Sequence, residues 1–319
     1  MYDVVVLGEL LVDFTPNGTS ENGNPCFERN PGGGPANMAC AVAKLGGNVA
    51  FLSQVGNDMF GKALKKIVAN ENVDCTQVRL SDEYKTTLAF VGLDEMGERS
   101  FSFYRRNGAD TMMKLEDYDL SVLKNTKYFF LSSVLMAEGE SRKTSFQILE
   151  EAKKIGVPIV FDPNLRFNLW ESQGELKECV YKTLQYAHIV KVSDEELAYL
   201  MDNNNLEEAA IKMKEQYNIS ILLVTHGKEG CIAYTNNGIV KHQGFSVEKP
   251  VDTTAAGDSF TGGFMRVLAK YDKMYNECSL EEIHQCMEVG NAVGSLTVRK
   301  RGAISALPTW EEVEQVIVS

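Results

Sequence analysis

The chain has 319 residues, 44% of them hydrophobic, enough for one large α/β domain or two smaller ones with a sizeable core. Its formal charge is −12, from 32 basic and 44 acidic residues, which argues against broad binding to nucleic acid or anionic membranes and leaves room only for a small anion in a local basic pocket. Seven cysteines (Cys26, Cys40, Cys75, Cys179, Cys231, Cys278 and Cys286), with no CxxC spacing, suit neither a disulfide framework nor a zinc site.

Reduced thiols and a cytoplasmic location are therefore expected. Residues 1–14 carry acids and lack a basic leader, so they read as a first strand and not as a signal peptide. No apolar run approaches the ~20 residues of a membrane span. In chain order, 4–7 is a buried-type strand ending at Gly8, and 35–45 is a helix closed by Gly46 and Gly47. A strand at 49–52 and a helix at 60–69 follow. The pattern returns with a strand at 128–135, a helix at 141–155 stopped by Gly156, and a strand at 157–161. A helix then covers 179–186, and apolar strands lie at 188–192 and 219–224; 203–205 reads as a surface loop. Strands without alternation, separated by helices, predict a mostly parallel sheet buried on both faces. The expected fold is α/β: a single three-layer, doubly wound domain over 1–319.

Two segments break this rhythm, 11–30 and 86–104. The second alternates in character around the turn Asp94-Glu95-Met96-Gly97 and reads as a hairpin. Together they predict a small β-sheet lid, about 11–31 and 86–110. The alternative is an edge hairpin of the main sheet.

Ligands of an open parallel sheet bind beyond the carboxyl ends of its strands. The most informative segment there is DTTAAGDSFTGGF, 252–264. Small residues from Ala255 to Gly257 precede a helix, and Asp258 stands near its start. A glycine-rich turn into a helix N-terminus aims several N–H groups one way and binds anions. A carboxylate beside a bound phosphate suits a base that takes a proton from an attacking hydroxyl. The plainer reading makes Asp258 the helix N-cap. Other candidates are GGGP at 32–35 with Asn37, and FDPNLR with Asp162, Asn164 and Arg166. Ser193 and Glu196 have capping-box spacing, and VTHGKEG at 224–230 reads as a turn. An anion cradle, acids able to hold Mg²⁺ through water, an arginine and a lid are the parts of phosphoryl transfer. No GxxxxGK[ST] is present, and the protein-kinase HRD and DFG set is missing.

GGGPANMACAVAKLGGNVAFLSQVGNDMFG (32–61) and DTTAAGDSFTGGF (252–264) resemble the two signatures of the ribokinase-like (PfkB) carbohydrate kinases. The resemblance covers essentially the whole chain. GELLVDFTP (8–16), RSFSFYRRNGAD (99–110), FDPNLRFNLW (161–170), VKVSDEEL (190–197) and RGAISALPT (301–309) look like fructokinases in particular. The resemblance implies ATP- and Mg²⁺-dependent phosphorylation of a sugar hydroxyl, with fructose as the sugar. It makes Asp258 the base, and Ala255, Ala256 and Gly257 the anion hole, with Arg166 near the sugar or phosphates. It places Asp13, Gly33, Gly34, Asn37, Arg105 and Asp110 at the sugar. Lys191, Thr225, Gly227, Gly230 and Asn291 fall on the nucleotide side. Asn164 and Glu196 match positions tied to Mg²⁺ and its waters; Asp252 and Thr254 match a monovalent-cation (K⁺) site.

The chain departs from the family pattern in places. Arg106 and Asn107 replace the usual Asn-Pro of the lid motif, and Ala255 replaces a common glycine. Ser193 stands for Asn, and Ala306 for a frequent Ser. Another kinase of the family, such as ribokinase or 2-keto-3-deoxygluconate kinase, is the alternative function. A non-catalytic relative is the remaining one, and the presence of Asp258 speaks against it. A homodimer through the lid is in keeping with the family.

Overall fold

The computed structural model describes residues 1–93 and 99–318; the turn predicted at Asp94-Glu95-Met96-Gly97 lies outside them. The chain runs β1 (Tyr2–Leu7), β2 (Leu11–Thr19), β3 (Pro25–Gly32), α1 (Gly34–Lys44), β4 (Val49–Gly56), α2 (Met59–Asn70), β5 (Val78–Ser81), β6 (Leu88–Leu93) and β7 (Arg99–Tyr104). It continues β8 (Thr126–Ser132), α3 (Glu140–Ile155), β9 (Ile159–Asp162), α4 (Gln173–Leu184), β10 (Ile189–Ser193), α5 (Asp194–Met201), α6 (Leu206–Gln216) and β11 (Ile221–Thr225). The last elements are β12 (Cys231–Thr235), β13 (Gly238–His242), α7 (Ala256–Leu268), α8 (Leu280–Thr297) and α9 (Trp310–Val318).

The main sheet has nine strands in the order β13-β12-β11-β10-β9-β8-β1-β4-β5. All its pairings are parallel except those of the β12–β13 hairpin. β1 shows why its sequence lacks alternation. Val4 and Val6 enter the core under α1, α2, α7 and α8, while Val5 and Leu7 enter the core under α3, α4, α5 and α6. Both faces are covered, so Val4 to Leu7 are all apolar. α9 adds Val313 to a smaller cluster on α8.

β2 follows β1 after only three residues and leaves the main sheet. It pairs with β3 and β6 in a separate four-stranded sheet, β3-β2-β6-β7. The 86–104 hairpin therefore belongs to this sheet and is not an edge of the main one. Phe14 fastens it to the body, stacked on Phe90 at 4.8 Å and edge-on to Phe60 of α2 at 5.9 Å. The strand predicted over 128–135 stops at Ser132, and Val134–Met136 forms a 3-10 turn. Those residues are buried, and a short apolar run does not distinguish a strand from a buried turn.

α7 packs closely on α1. A β-carbon at Gly262 would stand 2.5 Å from Ala41 Cβ and 3.0 Å from the Met38 carbonyl oxygen. Helix propensity favours Ala over Gly by about 1 kcal/mol, but overpacking costs roughly 1–3 kcal/mol. Gly262→Ala should therefore lower the thermal unfolding midpoint; an unchanged or raised midpoint would show that the two helices can move apart freely.

Candidate active site

β1 ends at Leu7, and the chain turns over the carboxyl edge of the sheet. Glu9, 2% exposed, accepts the Gly34 N–H on Oε1 at 3.0 Å, and Ser132 Oγ lies 3.5 Å from Oε2. A carboxylate at the start of α1 is favoured by the helix dipole. Burial outweighs this and pushes the Glu9 pKa up to about 8, against a partial offset from Arg105. Gly33 has φ +113°, and a β-carbon on Gly34 would stand 2.6 Å from Asn164 Nδ2 and 3.1 Å from Asp258 Oδ1. The absence of side chains here lets the loops after β1 and β9 and the start of α7 meet.

The helix predicted near Asp258 begins earlier, at Ala256. Its N-cap position is Ala255, in the left-handed conformation at φ 62° and with no side-chain cap. Asp258 is thus not the N-cap. The reversal at Ala255 starts the helix three residues sooner than a cap at Asp258 would, and Asp258 lies in its first turn. Its Oδ2 accepts a hydrogen bond from Asn37 Nδ2 of α1 at 2.9 Å, while Asn37 Oδ1 is buried without a partner. The Ala256 N–H turns back to the Thr253 carbonyl at 3.3 Å. The amides of Gly257 and Asp258 remain open, as the first N–H groups of a helix do.

Under this helix start lies a buried cation. Lys191 Nζ, on β10, pairs with Asp162 Oδ2 at 3.2 Å. It stands 2.9 Å from where a Gly257 β-carbon would be, so glycine lets it lie close under the helix start. Burial disfavours the Lys191 charge, but Asp162, Glu196 and Asp258 outweigh it and its pKa is raised. Burial raises Asp162 to about 6, with Lys191 opposing. Asp162 Oδ1 also accepts the Asn164 N–H at 3.1 Å, closing the expected Asp-Pro turn. Glu196 forms the expected capping box with Ser193, its Oε2 accepting the Ser193 N–H at 2.9 Å. Its Oε1 accepts the Leu165 N–H at 2.7 Å, tying the two loops together.

Towards the small sheet, Arg105 and Asp110 form a dry pair. Nε and Nη2 of Arg105 lie 2.9 and 2.8 Å from Asp110 Oδ2, and the Thr87 hydroxyl donates to Oδ1. Arg105 Nη1 is buried without a partner. Asp13, on β2, is raised by burial to about 7, and Arg166, exposed after β9, opposes the rise. On the other side of Asp258 a cleft of about 570 Å³ opens. Thr225, Gly227, Gly230, Ala256, Gly257 and Asn291 line it, while Asn164 and Lys191 do not. Asp252 lies apart, its Oδ1 accepting from Thr254 N at 2.9 Å and its Oδ2 from Gly302 N at 3.2 Å. Glu9 escaped sequence reasoning; an acid inside the apolar run VVVLGELLV was the available signal. Phe260, Ser295 and Val298, further lining of the cleft, were hidden in helix patterns.

The model of the pfkB family carbohydrate kinases matches residues 1–310. Fructokinase-2 of Solanum lycopersicum is 36% identical over 312 residues, 97% of this chain and 94% of the relative. The crystal structure of fructokinase from Xylella fastidiosa with bound ATP is 32% identical, with a TM-score of 0.91 over 100% of this chain and 99% of the other. A fructokinase double mutant from Vibrio cholerae in the fructose-, ADP- and potassium-bound form is 32% identical, with a TM-score of 0.88 over 98% and 97%.

Neutral Glu9 is favoured in the folded chain up to about pH 8, whereas its ordinary pKa is 4.5. The stability it contributes is complete below pH 4.5 and is lost as pH rises towards 8. Glu9→Gln keeps an acceptor for Gly34 and cannot ionise. Its unfolding midpoint should exceed the wild-type value by an amount that grows from about pH 5 to about pH 8; a pH-independent difference would exclude ionisation of Glu9 as the cause.

Proposed function

The chain belongs to the pfkB family of carbohydrate kinases, and we propose that it transfers the γ-phosphoryl group of ATP to D-fructose, giving fructose 6-phosphate and ADP. The observation that carries this reading is the position of Asp258. Its carboxylate is held by Asn37 at the start of a helix whose Ala256 and Gly257 line the large cleft on one side, with a buried polar cluster on the other. The fructose, ATP and ADP bound in the similar structures support this choice of acceptor and donor.

In this reading the nucleotide occupies the cleft, over Thr225, Gly227 and Gly230 and beside Asn291. The sugar lies among Asp13, Gly33, Gly34, Asn37, Arg105 and Asp110. Asp258 takes the proton of the sugar hydroxyl as its oxygen bonds to the γ-phosphorus and the bond to the ADP oxygen breaks. The amides of Gly257 and Asp258, with Lys191 beneath, offset charge on the phosphoryl oxygens. Ala255 and Ala256 shape this turn, and Arg166 stands at its mouth. The small sheet closes as a lid and excludes water. Its aromatic face, with Phe27 46% and Tyr104 70% exposed, is where a homodimer would form.

Among the described residues no group of three or more His, Cys, Asp or Glu is placed to cage a metal. Mg²⁺ needs no cage, since it keeps several waters and takes phosphate oxygens. Glu196 and Asn164 fit that mode, because the Glu196 oxygens retain lone pairs beyond those given to Leu165 and Ser193. Bound there through water, the ion would neutralise charge on the phosphates. Asp252 and Thr254 are the proposed K⁺ residues, in keeping with the potassium-bound relative. No helix among the described residues is long and apolar enough to cross a membrane; a cytoplasmic place belongs to the same proposal. A sugar-acid acceptor is the second reading, favoured by the unpartnered Nη1 of Arg105.

Asp258→Asn should lower turnover by roughly 10²–10⁴, the usual worth of a general base, and leave the unfolding midpoint near wild type. A coupled ADP-release assay across fructose, ribose, ketodeoxygluconate and tagatose measures both variant and substrate. Turnover within a few-fold of wild type would remove Asp258 as the base, and faster turnover of ketodeoxygluconate than of fructose would select the second reading.

A further inference from the structure

Asn291 of α8 lines the cleft and is 8% exposed. Its amide is held from behind: Nδ2 lies 3.0 Å from Nδ1 of His242, the last residue of β13. An amide NH₂ group only donates, so Nδ1 must accept and the imidazole proton belongs on Nε2. The surroundings favour that tautomer independently. Glu288 Oε1 lies 3.9 Å from Nε2 and attracts a proton there. The reversed amide would require the proton on Nδ1 and would leave a bare Nε2 lone pair facing the Glu288 carboxylate. Held as it is, Asn291 has Nδ2 engaged by His242, which leaves Oδ1 as the amide atom this residue has to offer the cleft it lines.

We propose that His242 is a positioning residue for nucleobase selection: it fixes Asn291 with a hydrogen-bond acceptor towards the cleft, so that a 6-amino purine is taken in preference to a 6-oxo purine. This rests on the kinase reading for the nature of the cleft's occupant. An exocyclic amine donates to Oδ1; a carbonyl at the same place opposes it oxygen to oxygen. Gaining a proton on Nδ1 would turn His242 from acceptor to donor. Asn291 would then reverse and present its NH₂ group to the cleft, and the preference would fall.

The groups around His242 set where that happens. His284 and Glu288 face it from α8, the first with its ring 4.9 Å away. Cys231 pairs with it in register on β12, and its buried thiol is pushed far up and stays neutral. Phe245 covers the ring at 5.6 Å, and Lys241 and Gln243 flank it in the chain. Burial and then His284 lower the His242 pKa below 6.5, with Glu288 opposing. The switch therefore lies on the acid side.

Titration calorimetry of the full chain with ATP and with ITP, without sugar, tests this between pH 5 and 7.5. The wild type should bind ATP about 3- to 10-fold more tightly than ITP at pH 7.5, the worth of one hydrogen bond, with the ratio falling towards the acid end of the range. His242→Gln can accept the same N–H and cannot titrate; it should keep the ratio and lose its pH dependence. His242→Phe should bind both nucleotides with the ratio near one. Retention of the wild-type ratio in His242→Phe, or of the acid decline in His242→Gln, overturns the proposal alone. Failure of the wild type to bind either nucleotide overturns the kinase reading, and this proposal with it.

Discussion

The arrangement depends on one meeting: the N-termini of α1 and α7, joined by the Asn37–Asp258 hydrogen bond at 2.9 Å. The two segments are 221 positions apart in the chain and share no local cause. Small residues make the contact, since Gly262 lets α7 sit on Ala41 and Met38 of α1. The partial positive ends of both helices then point at one place. That place collects carboxylates, Glu9 on one helix start and Asp258 in the first turn of the other.

Concentrating acids there has an electrostatic consequence. Burial, reinforced by the neighbouring acids, drives Glu9 to about 8 and Asp13 to about 7. Arg105 opposes the rise at Glu9 and Arg166 that at Asp13, while the buried Lys191 opposes the rise at its partner Asp162; Lys191–Asp162 and Arg105–Asp110 are the two buried ion pairs of the site. Dry pairs of this kind add little to stability, because desolvation consumes most of their attraction. Their position suggests a different worth. Each sets a fixed positive charge beside Asp258 or its neighbours, one beneath the helix start and one towards the small sheet. A chain with net charge −12 can thus offer a local site for anions without a basic surface.

Much of this was legible in the sequence, for reasons particular residues make clear. Val4, Val5, Val6 and Leu7 all had to be apolar because helices cover both faces of β1, and that absence of alternation was readable. Ser193 and Glu196 form a capping box because the motif is local, with both partners within one turn. The alternative that made Asp258 a cap fails because the left-handed Ala255 lies before it; a positive φ is unexpected at alanine, and the helix boundary moves with it. Val134 and Leu135 read as part of the preceding strand because hydrophobicity reports burial and not backbone shape.

The sequence by itself determined what depends on neighbours in the chain: strand and helix order, the glycine turns, the capping box and the two long family signatures. Tertiary structure alone decided what depends on distant partners. It made Glu9 a capping group for α1, set Lys191 under Gly257, turned Asn37 onto Asp258 and placed His242 behind Asn291. A side chain's chemistry is written in its residue type, but its charge, its tautomer and the direction it faces are set by what packing brings within a few ångströms of it.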